Sequence, residues 1–319
     1  MTAAPVRWGI LGTGDINDRF LPGARLTDAV DIVAVGSRTA KRAAAFAERH
    51  DIPRAHGTYE ELLADPDVEA IYNALPNSLH HQWTLRSLAA GKHVLCEKPY
   101  TRHPAEVDEA FDAADRAGLV LSEAFMWRHH PQARSLVESL SAIGALQAIR
   151  ATFGYVQKGA SDVRLRPDLD GGSLLDVGCY CVSGSRLVAG EEPDIVYGVA
   201  LPGPTGVDIR FTGLLHFPSG LVAEFSSGFT STHHTLEAIG TGGSLMLTNP
   251  WQSRPVSVVR DGIETQLVAE NAYRLELEDV SRAIRGEGAP LLGRADAMGQ
   301  ARALDGLLRS AATGQPVRL

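Results

Sequence analysis

The sequence predicts an α/β protein: a Rossmann doubly wound parallel sheet, followed by an α+β domain built on a large, mainly antiparallel open sheet. Three observations predict it. From Val6 to Ser122 short apolar runs alternate with helix-period stretches, the pattern of successive β-α-β units. The first run passes directly into a glycine turn, Gly12-Thr13-Gly14-Asp15-Ile16-Asn17. From Asp194 to Leu267 the chain changes to β-rich segments separated by turns at Pro202 to Gly206, Pro218 to Gly220, Gly240 to Gly243 and Asp261-Gly262.

Bulk properties narrow the function classes. The 319 residues exceed one ordinary core and predict two domains, 1–122 and 123–319, with a linking helix near 131–143. A hydrophobic fraction of 44% with 21% charged residues is that of a soluble globular chain. The net charge of −8 and pI near 5.8 argue against nucleic acid and anionic membranes as partners. Cys96, Cys179 and Cys181 form no CxxC or zinc spacing, which predicts a reducing compartment and no disulfide framework. No run approaches the length of a membrane span, and the first strand begins too early to leave room for a leader, so the expected location is cytoplasmic. The adjacent histidine pairs at 80–81, 129–130 and 233–234 diverge from one another, and no metal site is expected.

The elements follow in order. Val6 to Leu11 is a strand, and Ile16 to about Leu26 a helix interrupted at Pro22. Between them lies a GxGxxG-like turn with asparagine in the third place. Gly12 permits the tight turn, Gly14 lets backbone approach a pyrophosphate, and Asn17 weakens only the close packing of the helix. Thr13, Asp15 and Ile16 complete this candidate phosphate cradle. The strand Asp31 to Gly36 ends in Ser37-Arg38-Thr39, with no acid to bond both ribose hydroxyls. Ser37 and Arg38, with Arg42, instead suit a ribose phosphate, so NADP is favoured and NAD remains possible. The alternative reading makes Arg38, Lys41 and Arg42 the solvated face of the helix Thr39 to His50.

Arg54 to His56 is a short strand, and Thr58 caps a helix carrying Glu60 and Glu61. The strand Ala70 to Ala74 ends in Leu75, Pro76 and Asn77, where Asn77 or Ser78 caps a helix beginning at His80. His93 to Cys96 is a buried strand that stops at Glu97, Lys98 and Pro99. Ligands of open α/β sheets bind at the carboxyl ends of the strands, which makes Leu75, Pro76, Asn77, His80, Glu97 and Lys98 cofactor-side candidates. Partial desolvation of Lys98 would bring its pKa toward the range of proton transfer. A helix from Pro104 to Ala117 and a strand near Leu119 to Ser122 complete the domain.

Beyond it, Trp127 is a candidate wall of the substrate site, and Arg128 lies where the crossover could return to the cofactor. A long strand runs from Ala145 to Val156, then a polar loop from Gly159 to Gly172 carries Arg164 and Arg166, candidate substrate contacts. In the helix Ser173 to Val188, Asp176 and Tyr180 are four apart and share a face. A mostly apolar helix has little use for an aspartate unless it is paired, and Asp176 lies a turn late for a cap. Tyr180, beside a cationic lysine, can act as acid or base. The Asn249 to Trp251 turn is a further candidate wall. Two helices, Tyr273 to Gly286 and Arg294 to Gly314, end the chain, and the open sheet is expected to pair two copies as a homodimer or homotetramer.

Taken together, GTGDIN, LPNSLHH, GKHVLCEKP and GGSLLDVGCY resemble the glucose-fructose oxidoreductase, inositol dehydrogenase and rhizopine-catabolism (Gfo/Idh/MocA) family over essentially the whole chain. EAFMWRHHPQ and GGSLLDVGCY resemble most its D-xylose 1-dehydrogenase (NADP) and dimeric dihydrodiol dehydrogenase branch. The resemblance implies a substrate-binding second domain, Lys98 as the lysine of the EKP motif, and Asp176 and Tyr180 as the helix aspartate and its partner. It implies hydride transfer between NADP and a sugar or related cyclic alcohol, with Tyr180 as base, Lys98 lowering its pKa and Asp176 holding the substrate. The most expected activity is that of an aldose 1-dehydrogenase, with dihydrodiol dehydrogenase and anhydro- or keto-sugar reductase as alternatives. An NAD-dependent glycosidase and a non-enzymatic nucleotide sensor are the rivals. Ser37 and Arg38 count against the first, and retention of Lys98, Asp176 and Tyr180 against the second.

Overall fold

The structure, a computed structural model, describes residues 4–159, 162–252 and 257–319. The chain divides into two compact units, residues 1–129 with 271–298 and residues 130–270 with 299–319. A single cut at residue 122 does not describe this division, because the segment 271–298 rejoins the first unit.

The first unit runs β1 (Val6–Leu11), α1 (Asn17–Ala24), β2 (Val30–Gly36), α2 (Ala40–His50), β3 (Arg54–His56), α3 (Tyr59–Ala64), β4 (Ala70–Asn73), α4 (His80–Ala89), β5 (His93–Glu97), α5 (Pro104–Ala117), β6 (Leu121–Ala124) and α6 (Met126–His129). Its six strands lie in the order β3-β2-β1-β4-β5-β6, all parallel. The order reverses between β1 and β4, which is where an open α/β sheet leaves a crevice at the strands' carboxyl ends. Val94, Leu95 and Cys96 of β5 are wholly buried, as a strand covered on both faces requires.

Several boundaries differ from the sequence reading for local reasons. α1 continues through Pro22 and stops at Ala24, where the following Gly23-to-Arg25 turn closes it. Gly23 meets the chain at 272–274 so closely that a Cβ would lie 2.7 Å from Tyr273 Cβ. α4 is entered through a 3₁₀ turn, Asn77–Leu79, so that its N-cap position falls on Leu79, with no side-chain cap from that residue. Thr58 does cap α3, in a reciprocal box with Glu61. β6 begins two residues later than expected and reaches Ala124.

The second unit continues with α7 (Pro131–Ser139), β7 (Leu146–Gly154), α8 (Cys179–Ala189), β8 (Ile195–Pro202), β9 (Asp208–His216), β10 (Val222–Gly228), β11 (His233–Gly240), β12 (Gly243–Thr248), β13 (Ser257–Arg260) and β14 (Ile263–Gln266). The chain then forms α9 (Ala272–Ile284) of the first unit, α10 (Arg294–Thr313) and the short β15 (Val317–Arg318), which sequence periodicity did not reveal. Nine strands form one sheet in the order β14-β13-β12-β11-β7-β10-β9-β8-β15. Every pair is antiparallel except β10 with β7. The polar stretch from Gly159 to Gly172 is not an irregular loop throughout, since Val163–Leu165 and Pro167–Leu169 are 3₁₀ turns; its residues 160–161 lie outside the described residues, as do 253–256 of the β-rich region. The helix expected from Ser173 starts as a π turn, Leu174–Gly178, before α8. Single π turns inside helices recur at functional sites.

Candidate active site

In the first unit, the turn after β1 has the shape a dinucleotide needs. Gly12 has φ +96° and donates its N–H to Gly36 O at 3.0 Å; a Cβ there would lie 3.0 Å from Leu75 Cδ2. At Gly14 a Cβ would meet only Ala74 O, at 3.8 Å, so that glycine leaves room for a ligand rather than for the protein. Among the described residues, the N–H groups of Thr13, Gly14, Asp15 and Ile16 donate to no backbone carbonyl. These are the donors that an anion at a helix N-terminus uses. Asn17 is fully buried, and its amide donates to Gly12 O at 3.2 Å and Gly14 O at 2.9 Å. The expected loss of packing at this position is therefore replaced by hydrogen bonds.

At the carboxyl end of β2, Ser37 is buried with its Oγ 3.5 Å from Thr13 Oγ1, whereas Arg38 and Arg42 are exposed. Both guanidiniums act on Tyr59: burial pushes its hydroxyl above the usual tyrosine range, and the two arginines oppose that shift. Arg38 and Arg42, with no acid after the strand, fit a 2′-phosphate better than a free ribose diol.

The turn after β5 is braced from below. Glu97 accepts from the Tyr72 hydroxyl and from the Lys98 N–H at 3.2 Å, and Glu123 accepts from the Tyr100 N–H at 2.8 Å. The Lys98-Pro99 peptide is cis. His80, 1% exposed, lies with Nδ1 2.8 Å from Pro99 O and Nε2 2.7 Å from Leu75 O. Both ring nitrogens face backbone carbonyls, which places His80 between the Leu75 to Asn77 loop and the Lys98 turn. Burial holds its pKa below the ordinary value; the carbonyls of Pro99 and Leu75 oppose that, and the Lys98 charge adds to it. Lys98 itself is half-buried.

Two expected residues of this unit are placed differently. Trp127 is completely buried, with the Arg128 guanidinium 5.8 Å from its ring, so it packs in the interior. Arg128 forms an ion pair with Asp296 at 3.1 Å. Sequence reasoning also missed Glu276 of α9, which is 1% exposed with both oxygens lacking a hydrogen-bond partner among the described residues. Burial, then the charges of Glu97 and Asp279, push its carboxyl well above the usual range. The available signal was its spacing with Ala272, Tyr273, Leu277, Val280 and Ala283, which puts it on the buried face of the helix.

In the second unit the π turn and α8 carry Asp176 and Tyr180. Asp176 Oδ2 accepts from the Tyr155 hydroxyl at 2.8 Å, and Oδ1 from Arg164 Nε at 3.0 Å. The need for a paired aspartate is met by a tyrosine just past β7 and an arginine of the polar loop. Burial, then the Asp176 charge, pushes Tyr155 far above the usual tyrosine range, and the same carboxylate, as the main cause, raises Arg164. Arg164 also meets Asp162 at 3.3 Å, while Arg166 pairs with exposed Asp168. The turn is anchored by Asp208, which accepts from Ser173 Oγ at 2.7 Å and the Leu174 N–H at 2.8 Å. Nothing in the local sequence around 173 points to an acid 35 residues on.

Tyr180 is 8% exposed and sits in an aromatic group. Its ring lies 5.2 Å from Phe153, nearly edge-on, and 6.0 Å from Trp251, whose indole N–H donates to Thr152 O at 2.8 Å. His234 tilts against Phe153 at 4.9 Å. An ionisable hydroxyl with an aromatic surround suits a ligand with an apolar ring face.

Fold and site together define a nucleotide-binding oxidoreductase. Two family descriptions match: the Gfo/Idh/MocA oxidoreductase family with its NAD-binding Rossmann fold over residues 6–125, and the Gfo/Idh/MocA C-terminal domain over residues 130–246. The chain belongs to the Gfo/Idh/MocA family. It is 36% identical over 323 residues to a D-xylose 1-dehydrogenase (NADP(+)) of Haloferax volcanii, covering 98% of this chain and 99% of that protein. It is 38% identical over 270 residues to a trans-1,2-dihydrobenzene-1,2-diol dehydrogenase of Xenopus laevis, covering 82% of this chain and 80% of that protein. Among solved structures, a 3-ketoreductase from Actinomadura kijaniata in complex with NADP and TDP-benzene matches with TM-score 0.89 and 30% identity, over 96% of this chain and 98% of the other.

Proposed function

We propose that the protein is an NADP-dependent oxidoreductase acting on a hydroxyl-bearing carbon of a sugar or related cyclic alcohol, most closely an aldose 1-dehydrogenase of the D-xylose dehydrogenase type. The observation that carries the reading is the braced Lys98 turn at the carboxyl end of β5, in a unit whose β2 is followed by Ser37 and Arg38 rather than an acid. Near full-length similarity to an NADP-dependent xylose dehydrogenase supports the substrate class.

Bound NADP would supply the hydride acceptor. The N–H groups of residues 13–16 and the Arg38 and Arg42 guanidiniums would hold its phosphates. As a C–H bond of the alcohol breaks and its electron pair leaves as hydride, the hydroxyl proton passes to Tyr180, and a carbonyl forms. Lys98 would orient the substrate hydroxyl. Asp176, fixed through Tyr155 and Arg164, would hold a second substrate hydroxyl. The reverse reduction uses the same groups.

A dihydrodiol dehydrogenase is the second reading, favoured by the Phe153, Tyr180 and Trp251 aromatic group. A spectrophotometric panel of aldoses, inositols, anhydro sugars and trans-dihydrodiols with NADP and NAD decides between them. Aldose turnover with NADP is expected. Activity on dihydrodiols alone selects the second reading, and nucleotide binding without absorbance change on any alcohol refutes both.

We further infer that a second copy covers the open face of the nine-stranded sheet, where Val199, Leu201, Leu214 and Val222 are exposed. Light scattering should give a dimer or tetramer; a monomer at micromolar concentration refutes this. The three buried free thiols support a reducing, cytoplasmic setting, and no helix among the described residues is long and apolar enough to cross a membrane.

A further inference from the structure

We propose that Asn17 is a positioning residue for the cofactor's pyrophosphate: its amide replaces the third glycine of the fingerprint and holds the phosphate turn open by tying Gly12 O and Gly14 O inward. The inference rests on the dinucleotide reading above and goes beyond it, because the fingerprint itself assigns this place only a packing role.

The geometry argues for it in three steps. Asn17 is 0% exposed and donates to both carbonyls, at 3.2 and 2.9 Å, so one side chain fixes the first two glycine peptides at once. With those oxygens turned toward the amide, the N–H groups of Thr13 to Ile16 are left without backbone acceptors, as an anion requires. Asn17 Oδ1 is buried and has no hydrogen-bond partner among the described residues. Stranding an acceptor is costly, and a glycine or alanine would avoid that cost. The residue therefore earns its place through the two donors, and through the donors alone. An aspartate of the same shape could make neither bond and would set its charge against two carbonyls and the incoming phosphates.

The test is NADPH fluorescence titration of the full-length protein and of Asn17→Ala, Asn17→Gly, Asn17→Ser and Asn17→Asp, with thermal melting in the presence and absence of NADP. In Asn17→Ala and Asn17→Gly the Kd for NADPH should rise about tenfold, the effect of losing two modest hydrogen bonds, and more in Asn17→Asp. At saturating NADP, kcat with a substrate from the panel should stay within about twofold, because the chemistry is untouched. NAD affinity should fall by the same factor as NADP affinity, since the pyrophosphate is common to both. Asn17→Ser, which keeps one donor and a small volume, should bind between wild type and Asn17→Ala, and it decides the matter if the larger changes prevent folding. NADPH binding by Asn17→Gly at wild-type affinity overturns the inference. Failure of the wild-type protein to bind either nucleotide would instead overturn the dinucleotide reading itself.

Discussion

Replacing Tyr155 with phenylalanine removes one hydroxyl and leaves the ring, which packs 5.4 Å from Phe229, in place. The lost hydrogen bond, 2.8 Å long, ends on the Asp176 carboxylate. Bonds to charged groups contribute about 1.5–3 kcal/mol. The Asp176 side chain keeps 13% exposure and Arg164 still holds its other oxygen, so water compensates in part, and a loss of about 1.5 kcal/mol is the working figure. For a domain of this size that lowers Tm by about 3–6 °C. If Asp176 anchors the substrate, its looser carboxylate should also cost about tenfold in kcat/KM, since about 1.4 kcal/mol is one decade. The assay is thermal melting and steady-state kinetics of Tyr155→Phe, Asp176→Asn and the double variant. The double variant should melt and turn over nearly as Asp176→Asn alone does, with a coupling of about 1 kcal/mol. A Tm within about 1 °C of wild type together with unchanged kcat/KM would refute the argument that this tyrosine holds the aspartate.

Three further outcomes are expected. Lys98→Met should keep NADPH affinity while turnover falls about a hundredfold or more, the scale of a lost acid-base group; turnover near wild type removes Lys98 from the chemistry. Arg38→Ala should weaken NADP binding about tenfold and leave NAD binding unchanged, measured by nucleotide fluorescence, since a guanidinium-phosphate bond is lost in one case only. Glu69 accepts from Arg285 at 2.9 and 3.2 Å, and these bonds, followed by opposing burial and the Arg7 N–H, hold its carboxyl below the ordinary 4.5. A folded pKa below the unfolded one stabilises the fold above that value and loses the effect as pH falls through the folded pKa. Glu69→Gln should therefore be about 1 kcal/mol less stable at neutral pH in urea unfolding, with the gap closing below pH 4.5; an equal deficit under acid conditions contradicts the ion pair as its source.

The local grammar of the chain was readable because each signal is a short-range steric or periodic one. Gly12 needs a positive φ within two residues of a strand end, Thr58 and Glu61 cap one helix turn, and β5 announces itself by passing from wholly apolar residues to Glu97 and Lys98. Asp176 and Tyr180 stood out for the same reason, a charge and a phenol on an apolar helix. The sequence by itself thus determined the fold class and the family.

Only the tertiary structure decided what those groups are attached to. Tyr155 reaches Asp176 across 21 residues, Asp208 reaches Ser173 across 35, and Glu276 is buried in the first unit on a helix that rejoins it late in the chain. It also placed Trp127 in the interior and His80 between two backbone carbonyls. Strand register and chain return bring such pairs together. Neither leaves a trace in the spacing of nearby residues, because a hydrogen bond between distant segments constrains each of them at a single position.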